Sequence, residues 1–114
     1  MVTLGSTFKS NHLYVVISDP TRHSEKCVIV NLTTQRPKSD TTCVLQPRDF
    51  PSFIHSPTVV NYGDALEADQ RLLENIIAKG EVGRHPDMAT AVLARIIQGA
   101  RASPAFPVGL RKYL

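Results

Sequence analysis

Two β-branched, apolar runs lie close together near the start of the chain and limit what it can become. Leu13-Tyr14-Val15-Val16-Ile17-Ser18 is ended by Asp19-Pro20, and Cys27-Val28-Ile29-Val30-Asn31-Leu32-Thr33 follows after a short polar link, Thr21 to Lys26. Such runs fit the pleated, half-buried surface of a strand. The short link makes the pair an antiparallel hairpin. Thr41-Thr42-Cys43-Val44-Leu45 reads as a third strand, stopped by Pro47. Prolines at 47, 51 and 57 exclude helix and central strand from the next stretch, where Phe53 and Ile54 pin the loop to the core. Thr58-Val59-Val60-Asn61-Tyr62 reads as a fourth strand, Gly63-Asp64 as a turn, and Ala65-Leu66-Glu67-Ala68 as a short fifth.

The hydrophobic period then changes. Asp69 suits an N-cap, and Leu72, Leu73, Ile76 and Ile77 form one helical stripe ended by Gly80. A second helix is expected from Pro86-Asp87, with Val92, Leu93, Ile96, Ile97 and Ala100 on its apolar face and Ser103-Pro104 at its end. Pro107 to Leu114 suits a short third helix. The expectation is an α+β protein: a small antiparallel barrel or sandwich of four to five strands over residues 1–68, and a helical tail over 69–114 packed on it. At 114 residues the chain fits one domain and needs no metal or disulfide to fold.

No apolar run approaches the roughly 20 residues that cross a bilayer, and the N-terminus lacks the charged start and apolar stretch of a signal peptide. The expected location is therefore cytoplasmic, with no membrane, and Cys27 and Cys43 are expected as reduced, buried thiols. The net charge of +3 permits an anionic partner without requiring one. Arg22, Lys26, Arg36, Lys38 and Arg48 fall in the first half, whereas Asp64 to Glu81 is the acid-rich stretch. Such a split gives one basic face if the charges gather, and solvated loops if they do not.

No nucleotide-binding glycine pattern, nucleophile elbow or zinc-ligand spacing is present, and no cofactor or metal is expected. What remains is a set of polar residues at strand ends. His12 precedes the first strand, Thr33 and Thr34 end the second, His55 and Ser56 precede the fourth, and Tyr62 closes it. An imidazole can take or give a proton near neutral pH. Two of them, a hydroxyl donor and a cation from Arg36 or Arg48 would suffice to cleave RNA, which supplies its own nucleophile. Each residue also has a plainer reading: His12 as the start of a strand, His55 as a loop cap, Thr33 and Thr34 as strand formers, Tyr62 as core, the arginines as solvated charges. His23, in the hairpin turn, and His85, beside Pro86, are read as solvated.

The segments His12–Pro20 and Val28–Thr34, with the later Thr58–Tyr62 run and the helix from residue 88, resemble the PemK/MazF-like toxins, most closely over residues 10–68. The resemblance implies an SH3-like barrel that often forms a homodimer, cuts single-stranded RNA without a metal, and is blocked by an antitoxin peptide in its groove. It also implies a catalytic pair, an Arg in an Arg-Pro before the first of these strands and a Thr or Ser after the second. The hydroxyl falls on Thr33 or Thr34, but the Arg-Pro position falls on Asn11-His12 and is not matched. Two outcomes follow. Either His12 replaces the Arg in proton transfer, with His55 as its partner, or the barrel is a non-enzymatic module that binds nucleic acid or a protein.

Overall fold

Alternate residues of the strands point to opposite faces of one sheet, and both faces are covered. The computed structural model describes residues 1–114. Six strands, β1 (Thr7–Lys9), β2 (Leu13–Val16), β3 (Lys26–Thr34), β4 (Val44–Leu45), β5 (Thr58–Asp69) and β6 (Gly83–His85), pair antiparallel in the order β4-β5-β3-β2-β1-β6 and curl into a half-barrel. Two helices, α1 (Gln70–Ala78) and α2 (Thr90–Ala102), and a 3-10 helix, Val108–Tyr113, complete an α+β fold.

Leu13, Val15, Val28, Val30 and Leu32 point to one face, where they meet Val92, Leu93, Ile96 and Ala100 of α2. Phe8, Val16, Cys27 and Ile29 point to the other, beneath Leu73 of α1. The two helices thus cover opposite faces, and the near-continuous apolar run of β3 follows from its burial on both sides. Cys27 and Cys43 are free and buried in the two different clusters. Burial pushes the Cys27 thiol up to about 11.

Several expectations need correction. The hairpin is present, with Leu13 opposite Leu32 and Val16 opposite Ile29. The third strand shrinks to Val44–Leu45. The fourth and fifth are one strand, because Gly63-Asp64 is a bulge and not a reversal. Ile29 faces Leu66 and Asn31 faces Asn61, so Tyr62 through Ala65 bow out opposite the single residue Val30. Two strands are additional. Thr7–Lys9 pairs with β2, and Gly83–His85 pairs with β1, which returns the chain to the sheet in the middle of the expected helical tail.

α1 begins at its expected cap, where Asp69 accepts from the amides of Arg71 and Leu72 at 2.9 and 3.3 Å. Leu72 nevertheless points outward, 63% exposed, because the helix meets the sheet on its Leu73 side. α2 starts at Thr90, since Pro86 is held in the preceding connection by a 2.6 Å bond from the Thr7 hydroxyl to its carbonyl. In the proline-rich loop, Phe50 and Ile54 are buried and pin it, while Phe53 stays half-exposed.

Two aspartates tie loops to α2. Asp40 accepts 2.6 Å from Ser103, at the end of the helix, and 2.9 Å from the Thr42 amide. Asp49 accepts 2.9 Å from Arg95, whose other nitrogen reaches the Val44 carbonyl. Burial pushes both carboxyls up, but these hydrogen bonds outweigh it and hold each below the ordinary value of 3.8. A depressed folded value means stability that is present above the unfolded value and is lost as pH falls through the folded one. Thermal unfolding followed from pH 7 to pH 2 should therefore show a melting temperature that drops below about pH 4. Asp40→Asn should shallow that drop.

Candidate active site

The polar strand ends gather at one rim of the half-barrel. The β1–β2 hairpin turns through Ser10 to His12, closed by a 3.1 Å bond from the Ser10 amide to the His12 carbonyl. Thr33 and Thr34 end β3 opposite Val59 and Thr58. The Gln35 amide then donates 3.0 Å to the Pro57 carbonyl, which fixes the chain before β5 against the chain after β3. Arg36 is held in a turn by bonds to and from Ser39 at 2.8 and 3.1 Å. The proline loop delivers His55 and Ser56 immediately after the buried Ile54.

These segments line one cleft of about 380 Å³. Six of the residues singled out from the sequence face it: His12, Thr33, Thr34, Arg36, His55 and Ser56. Lys9, Asn11 and Phe53 face it too. Lys9 lies on a three-residue strand that carries no periodicity to read. Its ammonium sits 5.4 Å from the centre of the Phe53 ring. A second opening of about 410 Å³, lined by Gln35, Arg36 and Pro37 among others, adjoins the cleft at Thr34 and Ser56.

The electrostatics of the cleft are one-sided. No Asp or Glu lines it. The ion pairs of the protein involve Lys26, Arg71, Arg84 and Arg95, so neither Lys9 nor Arg36 has a carboxylate partner. The hydroxyls of Thr33, Thr34 and Ser56 and both imidazoles are free of internal hydrogen bonds, whereas the Thr58 hydroxyl is engaged with the Ser56 carbonyl at 2.9 Å. The arrangement offers two proton-transfer groups, two cations and three hydroxyl donors to an anion.

Two candidates lie elsewhere. Tyr62 has no exposed surface, and its hydroxyl donates 2.7 Å to the Ile96 carbonyl in the core, where burial keeps the phenol protonated. It cannot touch a substrate. Arg48 sits in the 3-10 turn Pro47–Asp49 and is not part of the cleft wall. The two histidines read as solvated are instead half-buried: His23 lies edge-on to Tyr113 at 4.9 Å, and His85 edge-on to Phe53 at 6.2 Å. No cluster of three or more His, Cys, Asp or Glu is placed to hold a metal ion, and no helix is long and apolar enough to cross a membrane.

No protein-family model matches the chain, and no curated protein does. Among solved structures, an endoribonuclease in complex with its cognate antitoxin, from a mycobacterial species, has the same fold. The TM-score is 0.59 at 19% identity, over 94% of this chain and 98% of that one. The likeness is one of fold.

Proposed function

We propose that this chain is a toxin-like endoribonuclease of the PemK/MazF type that cuts single-stranded RNA at the rim cleft, and that an antitoxin segment blocks that cleft. The observation that carries the proposal is that His12, His55, Thr34, Lys9 and Arg36 line one cleft whose own wall holds no carboxylate. The shared fold with an endoribonuclease solved in complex with its cognate antitoxin supports it.

One imidazole takes the proton of a 2′-hydroxyl, and the 2′-oxygen attacks the adjacent phosphorus. The bond to the 5′-oxygen breaks, and the second imidazole gives that oxygen its proton. The products are a 2′,3′-cyclic phosphate and a free 5′-hydroxyl. Thr34 donates to a non-bridging oxygen, and Lys9 and Arg36 offset the charge that builds there. No step draws on a metal. Residues 11 and 12 depart from the family's Arg-Pro, and in this reading His12 supplies the proton transfer.

The test is incubation of the purified protein with a long single-stranded RNA in EDTA. Fragments ending in a cyclic phosphate are expected, and intact RNA across a broad range of sequences would refute the enzyme. Tight RNA binding without cleavage would instead favour a binding module. Arg36→Ala and Lys9→Ala should each weaken RNA binding and lower the slope of log affinity against log salt by about 0.7 for each lost phosphate contact. An unchanged slope would remove that residue from the phosphate path.

A further inference from the structure

Beside the cleft, on the end of the sheet face that α1 does not reach, lies a second depression of about 620 Å³. His12 and Thr33 line both, so the two are continuous. Its floor is a cross-strand row: Tyr14 faces Asn31, and Asn31 faces Asn61. Asn31 lines the depression, and its side-chain amide makes no bond within the protein; no buried side-chain nitrogen or oxygen lacks a partner, so that amide opens into the depression. Its donors and its acceptor are therefore free for a group that enters the depression.

The β5 bulge completes the wall. It brings Asp64 within 2.9 Å of the Asn61 side-chain nitrogen. A carboxylate only accepts, so the Asn61 NH₂ must face Asp64, which leaves the Asn61 carbonyl oxygen unpaired. Tyr14 is held rigid by stacking on Phe8, with ring centroids 5.4 Å apart and planes 12° from parallel. Leu66, 52% exposed, adds an apolar flank. An aromatic platform, an apolar flank and acceptor-rich amides suit a planar heterocycle that carries an amino group.

We infer that this depression holds one base of the RNA strand, next to the phosphate that is cut, and selects bases with an exocyclic amino group over uracil. Adenine and cytosine each present an amino donor beside a ring-nitrogen acceptor, which an Asn amide matches with two hydrogen bonds. Uracil pairs with an Asn amide equally well, through its imino N–H and a carbonyl, so the discrimination lies at the Asn61 carbonyl and Asp64, acceptors that an amino group meets and a uracil carbonyl does not. The inference rests on RNA as the substrate of the adjoining cleft.

Binding of uncleavable 2′-deoxy pentanucleotides of adenine, cytosine or uracil to the ¹⁵N-labelled chain tests it. The adenine or cytosine oligomer should shift the side-chain amide signals of Asn31 and Asn61 and bind about tenfold more tightly than the uracil oligomer. Asn31→Ala should weaken binding of all three oligomers. Asn61→Ala, at a half-buried position, should erase the preference. Tyr14→Phe should keep the affinity, and Tyr14→Leu should lose it. Equal binding of all three oligomers with both amide signals unmoved would overturn the subsite. So would a free mononucleotide that bound as tightly as its oligomer, because the depression would then be a small-molecule site. Base preference without cleavage of the corresponding RNA would leave the subsite standing and remove the enzyme. Cleavage without base preference would do the reverse.

Discussion

Alanine at His12 or at His55 is expected to slow RNA cleavage by about 10²–10⁴-fold, the usual contribution of a positioned proton-transfer group. Neither change should disturb the fold. Both residues are exposed, and neither side chain makes a hydrogen bond within the protein, so stability should stay within roughly 0.5 kcal/mol of the parent. The double variant should lose much less than the product of the two single losses, because an acid and a base that act in one step fail together. Substrate affinity, measured on uncleavable oligomers, should change little, since Lys9 and Arg36 remain. Full activity in both single variants would discard the imidazole mechanism. It would leave Thr34 with Lys9 and Arg36 as the catalytic set, closer to the hydroxyl-and-cation pair that the family resemblance implies.

The part of this site that was legible in the sequence is the part carried by long apolar runs. β2 and β3 announce themselves through β-branched residues, and His12, Thr33 and Thr34 stand at their ends, so their meeting at one rim follows once the hairpin is known. His55 and Ser56 were legible because prolines at 51 and 57 bracket them. Lys9 was not. Thr7–Lys9 is a strand through pairing on both edges, with β2 and β6, and three residues carry no period of their own. Gly83–His85 was hidden in the same way, inside what read as a helix connection.

Tyr62 and Gly63-Asp64 misled for a different reason. A strand-end tyrosine and a Gly-Asp pair suit a turn, but β3 continues alongside and keeps β5 paired beyond residue 65. Ordinary alternation after Val60 carries Tyr62 into the core, and the chain accommodates the extra residues as a bulge that brings Asp64 toward Asn61. Asn31 was masked by its neighbours. Within Val28 to Leu32 it reads as a tolerated polar residue in a buried strand, and only the limited reach of α1 over that face leaves its amide open to a ligand.

The same bulge rests on a contact that a single methyl group should break. Gly99 of α2 passes directly over the Tyr62 hydroxyl, and a Cβ there would overlap that oxygen and lie 2.9 Å from the ring carbon that bears it and 3.2 Å from Cβ of Cys43. Gly99→Ala sets two effects against each other. Alanine in a helix interior gains about 1 kcal/mol over glycine. Overpacking costs about 1–3 kcal/mol, and here the obstacle is a rigid, fully buried ring and not the end of a flexible chain. The overlap should win, with a melting temperature lower by several degrees, at about 4 °C for each kcal/mol in a chain of this size. Tyr62→Phe alone should cost about 1 kcal/mol through the lost bond to the Ile96 carbonyl. Together the two changes should cost less than their sum, because removing the hydroxyl removes the nearest obstacle. Recovery should be partial, since the ring carbon stays. If Gly99→Ala raised the melting temperature instead, α2 would have room to lift off β5. The bulge that carries Asp64 would then be a movable wall, and base selection at Asn61 and Asp64 would weaken in that variant without any change at the cleft.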